Sequence, residues 1–195
     1  MLILASTSTI RQKILTNAGV PFIAIGANVD EDQIKAALRA QGATPRVQAD
    51  QLAQAKAIRV SQKTEGLVLG CDQILALEGQ SFDKANNLDE AHERLLALRG
   101  KTHSLECAVV IAQNGAPIWR LVKTSTLTMR NFSDAFLENY LRDHGLEALS
   151  SVGCYQYEGA GAALFERVDG DFYAILGLPL LEVMAFLRLH NVVPT

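Results

Sequence analysis

Asp72 lies in the middle of Leu67-Val68-Leu69-Gly70-Cys71-Asp72-Gln73-Ile74-Leu75-Ala76-Leu77, a run that is otherwise almost wholly apolar. A stretch so short and apolar predicts a strand buried on both faces. A carboxylate placed there costs about 2–7 kcal/mol unless it is paired or bound. One reading is an aspartate at a strand end, hydrogen-bonded to backbone. The other is a carboxylate held rigidly for metal binding or general-base work. The second is preferred, because Lys84 and other polar groups follow it in a suitable pattern.

Further candidates precede Asp72. Leu2-Ile3-Leu4-Ala5 reads as a buried strand, and Ser6-Thr7-Ser8-Thr9 follows it. A helical pattern comes next, with Ile10, Ile14, Leu15 and Ala18 on one face and Gly19 closing it. Loop amides, hydroxyls and a helix N-terminus converging on one point suit a phosphate. Arg11 in the first turn would add a bidentate contact. A hydroxyl cap beside a solvated arginine explains the same residues equally well. In Asp30-Glu31-Asp32 the carboxylates fit a helix N-terminus favoured by its dipole, and also an oxygen-ligand set for Mg²⁺ or Mn²⁺. Taken alone, the first explanation wins. Lys56 falls between Leu52 and Val60 at i+4 steps on the inward side of a helix opened by Thr44-Pro45. It either snorkels or points its ammonium into a cleft, and the cleft is favoured.

The elements that must position these groups alternate along the chain. Val20 to Ile25 predicts a second strand. Glu78-Gly79 predicts a turn into a short returning strand over Ser81-Phe82-Asp83-Lys84. Asn87 caps a helix carrying Ala91, Leu95 and Leu98, which Gly100 ends. Ser104 to Ala112 and Pro117 to Thr128 form a hairpin through Asn114-Gly115. Ser133 starts a helix with Phe136, Leu137, Tyr140 and Leu141 apolar, ending before Gly145. The segment Gly153 to Gly161 is glycine-rich, for close backbone approach to a ligand or for a bent strand, and matches neither a P-loop nor a dinucleotide fingerprint. Ala163 to Val168 and Phe172 to Leu176 predict the last strands, and Pro179 starts a final helix. The interleaving predicts an α/β fold with a mixed sheet.

The 195 residues predict one domain spanning 1–195. With 49% hydrophobic and 20% charged residues the chain can bury an ordinary core. A net charge of −3 argues against a general nucleic-acid binder, while leaving room for a small anionic ligand. Cys71, Cys107 and Cys154 are far apart, which predicts reduced thiols in a cytoplasmic protein. The four histidines show no zinc-ligand spacing. No signal peptide or membrane span is predicted.

The order of motifs resembles the Maf family of nucleoside triphosphate pyrophosphatases over nearly the whole length. The residues that carry the resemblance begin with Leu2-Ile3-Leu4-Ala5-Ser6-Thr7-Ser8, Arg11, Val29-Asp30-Glu31 and Ala55-Lys56-Ala57. They continue with Gly70-Cys71-Asp72-Gln73, Lys84 and Leu98-Arg99-Gly100-Lys101-Thr102-His103. They end with Gly153-Cys154-Tyr155, Glu158-Gly159, Phe165-Glu166-Arg167, Gly170-Asp171-Phe172 and Leu176-Gly177-Leu178-Pro179-Leu180. The chain departs from the family at Thr9 and Ile10, at Ala85 after the lysine, and at Ser151 where a lysine is common.

The resemblance implies a two-lobed, elongated mixed sheet with a cleft between lobes, and frequent homodimers. It implies a house-cleaning hydrolase of acid anhydrides that cleaves a nucleoside triphosphate to the monophosphate and pyrophosphate with Mg²⁺ or Mn²⁺. Asp72 matches the family's proton acceptor, while Ser6, Arg11, Glu31, Lys56 and Lys84 match its phosphate and metal end. Asp72 and Glu31 would hold the metal, with Asp72 as base, ligand or both. Gln73 and Glu158 look like the base-reading pair of the 7-methyl-GTP branch, where dTTP- and UTP-preferring relatives carry Thr and Gln. An ionised glutamate only accepts, so it suits the adjacent N1–H and 2-amino donors of guanine. It would face a pyrimidine carbonyl repulsively. The alternative in another class is a nucleotide-sensing regulator of cell division without turnover, which would keep Ser6 and Arg11 but have no need of Asp72.

Overall fold

The computed structural model describes residues 1–194. Its spine is three long antiparallel strands: β3 (Leu67–Leu77), β5 (Thr102–Gln113) and β6 (Ala116–Met129). They belong to a seven-stranded mixed sheet ordered β2-β1-β3-β5-β6-β7, with β4 paired to β3 off that path. β1 (Leu2–Leu4) and β2 (Phe22–Ala24) are parallel to each other and β1 is parallel to β3, whereas β4 (Gln80–Phe82) and β7 (Phe165–Asp169) join antiparallel. As read from the sequence, the fold is α/β with a mixed sheet. Asn114 and Gly115, both at positive φ, make the β5–β6 turn.

One edge of β3 is shared by two short strands. β1 pairs with it up to Leu4↔Leu69, and β4 pairs with it from Leu75↔Phe82 onward. Residues 70–74 between them have no strand on that edge. Continuing the parallel register of β1 carries Ser6 to the level of Cys71. Continuing the antiparallel register of β4 carries Lys84 to the level of Gln73. The gap is therefore approached from both ends by chain that leaves the sheet.

Period-2 alternation sorts the side chains of β3 between two layers. Leu67, Leu69 and Cys71 join a cluster with Ile14 and Leu15 of α1 (Thr9–Asn17) and with Val183 and Leu187 of α7 (Leu180–Leu189). Further along the same face, Leu75 and Leu77 join a second cluster. Its other members include Leu95 and Leu98 of α4 (Leu88–Leu98) and Leu137 and Tyr140 of α5 (Asp134–Ala148). Gln73 stands between the two clusters, and this polar interruption separates the lobes. The opposite face is covered by α3 (Pro45–Ser61), whose Leu52, Ala53 and Ala57 pack on Ile74, Ala108 and Val110. Each buried leucine of these layers contributes roughly 1.5–3 kcal/mol relative to exposure. Among the described residues no helix is long and apolar enough to cross a membrane. Cys71, Cys107 and Cys154 are all free and buried.

Two elements differ from the sequence reading. Gly145 does not follow the helix that Ser133 caps; α5 runs on to Ala148. A Cβ at Gly145 would lie 2.7 Å from Leu88 Cδ2, so the glycine serves the close packing of α4 on α5 rather than termination. The apolar run from Phe172 is a short helix, α6 (Phe172–Ile175), not a strand. Four consecutive apolar residues are compatible with either element. The decision comes from Asp171, whose carboxylate accepts from Ala174 N at 2.7 Å and closes the first turn. The Gly153–Gly161 segment is neither strand nor helix up to Gly159, and a 3-10 turn, Ala160–Leu164, follows it.

His103 of β5 is 2% exposed, shares a 2.8 Å hydrogen bond between Nε2 and Tyr155 Oη, and has no partner for Nδ1. Burial pushes its pKa down to about 4, so the ring is neutral in the folded protein at pH 7. The unfolded imidazole, near 6.5, takes up its proton first as pH falls. Stability is therefore full above about pH 6.5 and declines toward pH 4, by about 3 kcal/mol in all for this group. His103→Gln, which retains a partner for Tyr155, is expected to remove most of that decline. Urea unfolding of both proteins at pH 7.5 and 5 measures it.

Candidate active site

Close contact between α3 and β3 creates the centre of the site. A Cβ at Gly70 would lie 2.2 Å from Ala53 O, so only glycine lets the helix backbone settle on the strand. Ala53 and Lys56 lie on the same side of α3, which brings Lys56 over Asp72. Lys56 Nζ donates to Asp72 Oδ1 at 2.7 Å, with Lys56 8% and Asp72 6% exposed. The helix is started as its sequence predicts, with Thr44 Oγ1 accepting from Val47 N and Pro45 in the first turn.

A second carboxylate meets the same ammonium. Glu31 opens α2 (Glu31–Ala40), which Asp30 caps by accepting from Gln33 N at 2.9 Å. Its Oε1 lies 2.9 Å from Lys56 Nζ. The helix-start explanation of Asp30-Glu31-Asp32 thus holds for Asp30, which caps α2, while Glu31 turns its carboxylate to the Lys56 ammonium. The other end of α2 is held by Asp83, whose oxygens pair with Lys35 at 3.0 Å and Arg39 at 2.9 Å.

The two carboxylates are not equivalent. Burial pushes the pKa of Asp72 up, and the charges of Lys56 and Arg11 only partly offset it, so the net shift is upward. Burial also pushes Glu31 up, but Lys56 and then Lys35 outweigh it and hold the group below its ordinary value. Of the pair sharing one ammonium, Asp72 is thus shifted up from its ordinary value and Glu31 down from its own.

Arg11 closes one end of the gap in β3. Its Nε donates to Gly177 O at 2.8 Å, and its Nη1 to Ser6 Oγ at 3.3 Å and Cys71 O at 3.1 Å. The Cys71 carbonyl would otherwise face the gap without a strand to receive it. Gly177 has φ 93°, and a Cβ on it would come 3.2 Å from Arg11 Nε. Among the described residues Nη2 of Arg11 has no hydrogen-bond partner, which leaves donors for an anion. Lys84 approaches from the other end. Partial burial and the neighbouring Arg11 and Lys56 push its pKa down, against Glu31 and Asp72, and it has no ion-pair partner among the described residues.

Ser6, Arg11, Glu31, Lys56, Asp72 and Lys84 thus form one cluster. Gln73 and Glu158 stand outside it. Gln73 points to the opposite face of β3, where its amide donates to Ala174 O at 2.9 Å and Ile175 O at 3.0 Å. Glu158 is exposed in the loop before the 3-10 turn and, among the described residues, makes no ion pair. Sequence reasoning assigned no role to Gly177, although its Leu176-Gly177-Leu178-Pro179 setting marked it, nor to the Cys71 carbonyl and Asp83, for which residue type carried no signal.

A strand–loop–helix corner with open arginine and lysine donors thus stands beside a buried Lys–Asp pair in an α/β fold. The chain belongs to the Maf family: the model described as Maf-like protein matches residues 1–190. It is 54% identical over 188 residues to a protein of Caulobacter vibrioides named nucleoside triphosphate pyrophosphatase, covering 96% of this chain and 94% of the relative. A Hyphomonas neptunium protein of the same name is 48% identical, covering 98% and 97%. A Brucella abortus protein named 7-methyl-GTP pyrophosphatase is 46% identical, covering 96% and 94%.

The contrast between two lysines tests the cluster. Lys101 Nζ is half-exposed and lies 3.3 Å from Glu78, away from the gap. Lys84→Ala is expected to weaken binding of inorganic pyrophosphate roughly 10- to 100-fold, the scale of one charged hydrogen bond. Lys101→Ala is expected to leave it unchanged. Titration calorimetry of the two variants makes the comparison.

Proposed function

We propose that this chain hydrolyses a nucleoside triphosphate to the monophosphate and pyrophosphate in the gap on the β3 edge. The observation that carries the reading is the buried Asp72–Lys56 pair, set between the open donors of Arg11 and Lys84. A triphosphate brings about four negative charges, and such positioning and charge stabilisation dominate phosphoryl-type transfer. Ser6, Arg11 and Lys84 bind and orient the phosphate oxygens. Asp72 accepts the proton of the attacking water at a carboxylate oxygen. The water oxygen bonds to the α-phosphorus, the bond from that phosphorus to the bridging oxygen breaks, and pyrophosphate leaves.

The residues present also fit Mg²⁺ or Mn²⁺. Two carboxylate oxygens, of Glu31 and Asp72, converge on one cationic point, the Lys56 ammonium, at 2.9 and 2.7 Å. Among the described residues no third His, Cys, Asp or Glu joins them. A magnesium-type ion held by one or two carboxylates takes its remaining ligands from phosphate and water. When bound by Glu31 and Asp72, it supplies charge neutralisation at the triphosphate.

Asp72→Asn is expected to lower kcat by about 10²–10⁴-fold, the loss of a general base, while the fold persists. Pyrophosphate release with Mg²⁺ or Mn²⁺, alongside circular dichroism, measures this. A soluble variant with near-normal turnover would remove Asp72 from the chemistry.

We infer further that the preferred base is 7-methylguanine rather than thymine or uracil. The Brucella relative's name supports this, as does Glu158, an exposed carboxylate free to accept two donors. Methylation at N7 makes the ring cationic and strengthens both hydrogen bonds. Gln73, by contrast, has its amide donors engaged with α6, so Glu158 is the reader of the base edge. Glu158→Gln is expected to reduce the preference for 7-methyl-GTP over dTTP by roughly 1–3 kcal/mol. The ratio of kcat/KM for the two substrates, in both proteins, is the measurement; an unchanged ratio would remove Glu158 from this role.

A further inference from the structure

Phe172 is 47% exposed, yet it sits on one of the most firmly tethered segments near the site. In the four-residue helix α6, Ala174 and Ile175 are buried and Tyr173 packs into the first lobe's core. Asp171 caps the first turn and receives Lys123 of β6 at 3.7 Å. Gln73, the neighbour of Asp72 on β3, donates both hydrogens of its amide to the carbonyls of Ala174 and Ile175. Arg11 of the charged cluster holds Gly177, just beyond. The helix is thus fastened on one side to the strand that bears the acid and on the other to the arginine that faces the gap.

A lone exposed phenylalanine is ordinary on a protein surface. This one is carried on a helix whose backbone is held by Gln73 and Asp171, and two further rings lie beside it. Its ring lies 6.0 Å from that of Tyr157, centroid to centroid, and 5.6 Å edge-on to Tyr173. Tyr157 immediately precedes Glu158. An exposed aromatic face, and a carboxylate one residue along from the ring packed against it, are two elements that can hold a nucleobase.

We propose that Phe172 is the platform on which the base of the nucleotide stacks, and that Gln73 is the positioning residue that fixes it. The inference rests on the nucleotide-hydrolysing reading above and assigns that site its base-holding wall. It also gives Gln73 a function different from direct contact: its amide is occupied by backbone, and it acts through α6.

Three variants test this: Phe172→Leu, Phe172→Trp and Gln73→Leu. Phe172→Leu keeps an apolar side chain but loses the ring. Its KM for 7-methyl-GTP is expected to rise roughly 5- to 100-fold, the scale of one base–aromatic stack, with kcat nearly unchanged. The inhibition constant of inorganic triphosphate, which has no base, is expected to stay as in the parent. Gln73→Leu is expected to raise KM in the parent and to add little in the Phe172→Leu background, because both act through one contact. A KM unmoved by Phe172→Leu, or an equal weakening of inorganic triphosphate, would overturn the proposal. Phe172→Trp provides a readout independent of turnover. Its added fluorescence is expected to be quenched by 7-methyl-GTP and not by inorganic triphosphate. Quenching without any hydrolysis by the parent protein would sink the hydrolytic reading and keep the stack; hydrolysis without quenching would do the reverse.

Discussion

The ion pair between Asp72 and Lys56 is the constraint around which this molecule is arranged. Taking two charges out of water costs several kcal/mol per ion, and their attraction in the interior repays it only when geometry is good and further partners are present. Here the distance is 2.7 Å and Glu31 supplies the second acceptor for the ammonium. The cost of such a pair is rarely recovered as stability, and apolar residues of similar volume often replace one without loss. The pair is therefore best understood by what it does to Asp72: it holds a buried carboxylate in one place, while burial raises its pKa more than the Lys56 charge lowers it. Much of the local architecture follows from this. Gly70 lets α3 touch β3, Thr44 and Pro45 fix where α3 begins, and the Asp83 contacts hold α2 so that Glu31 can reach the ammonium.

The second organising feature is the interruption of the sheet at residues 70–74 of β3. Two short strands cover the edge on either side, and the uncovered backbone between them is met by Arg11 rather than by another strand. That arginine uses three acceptors from three parts of the chain, Ser6, Cys71 and Gly177. It ties the corner between β1 and α1 to the segment that carries α6. Gln73 makes the complementary tie from the other face of the same strand. Successive residues of β3 thus reach the charged cluster on one face and α6 on the other, because side chains alternate across a strand. The two lobes are separated at the same point, where a glutamine interrupts an otherwise apolar face.

Much of this was legible from residue order. The strand around Asp72, the Thr44-Pro45 start, the Asn87 and Ser133 caps and the Asn114-Gly115 turn are local choices made by side chain, dihedral and hydrogen bond within a few residues. The family resemblance rested on short motifs in a fixed order, and the five residues it singled out for the phosphate and metal end lie together with Asp72. The two misread elements were decided by contacts outside their own windows. Gly145 reads as a helix end until Leu88 is seen against it, and Phe172 to Ile175 is helical because a capping carboxylate and the Gln73 amide hold it so.

What residue order determined, then, was which elements form and which residue types are available for chemistry, since those depend on neighbours within a turn or a strand. Only the tertiary structure decided what each group is bonded to. Lys56 was favoured to point into a cleft rather than to snorkel, but its partners, Asp72 and Glu31, were known only once α3 was placed on Gly70. Gln73 looked free to read a base until α6 was found beneath it. Partners come from residues as far apart as Arg11 and Gly177, and hydrogen bonds of 2.8–3.1 Å across 60 or more residues depend on packing that no local pattern encodes.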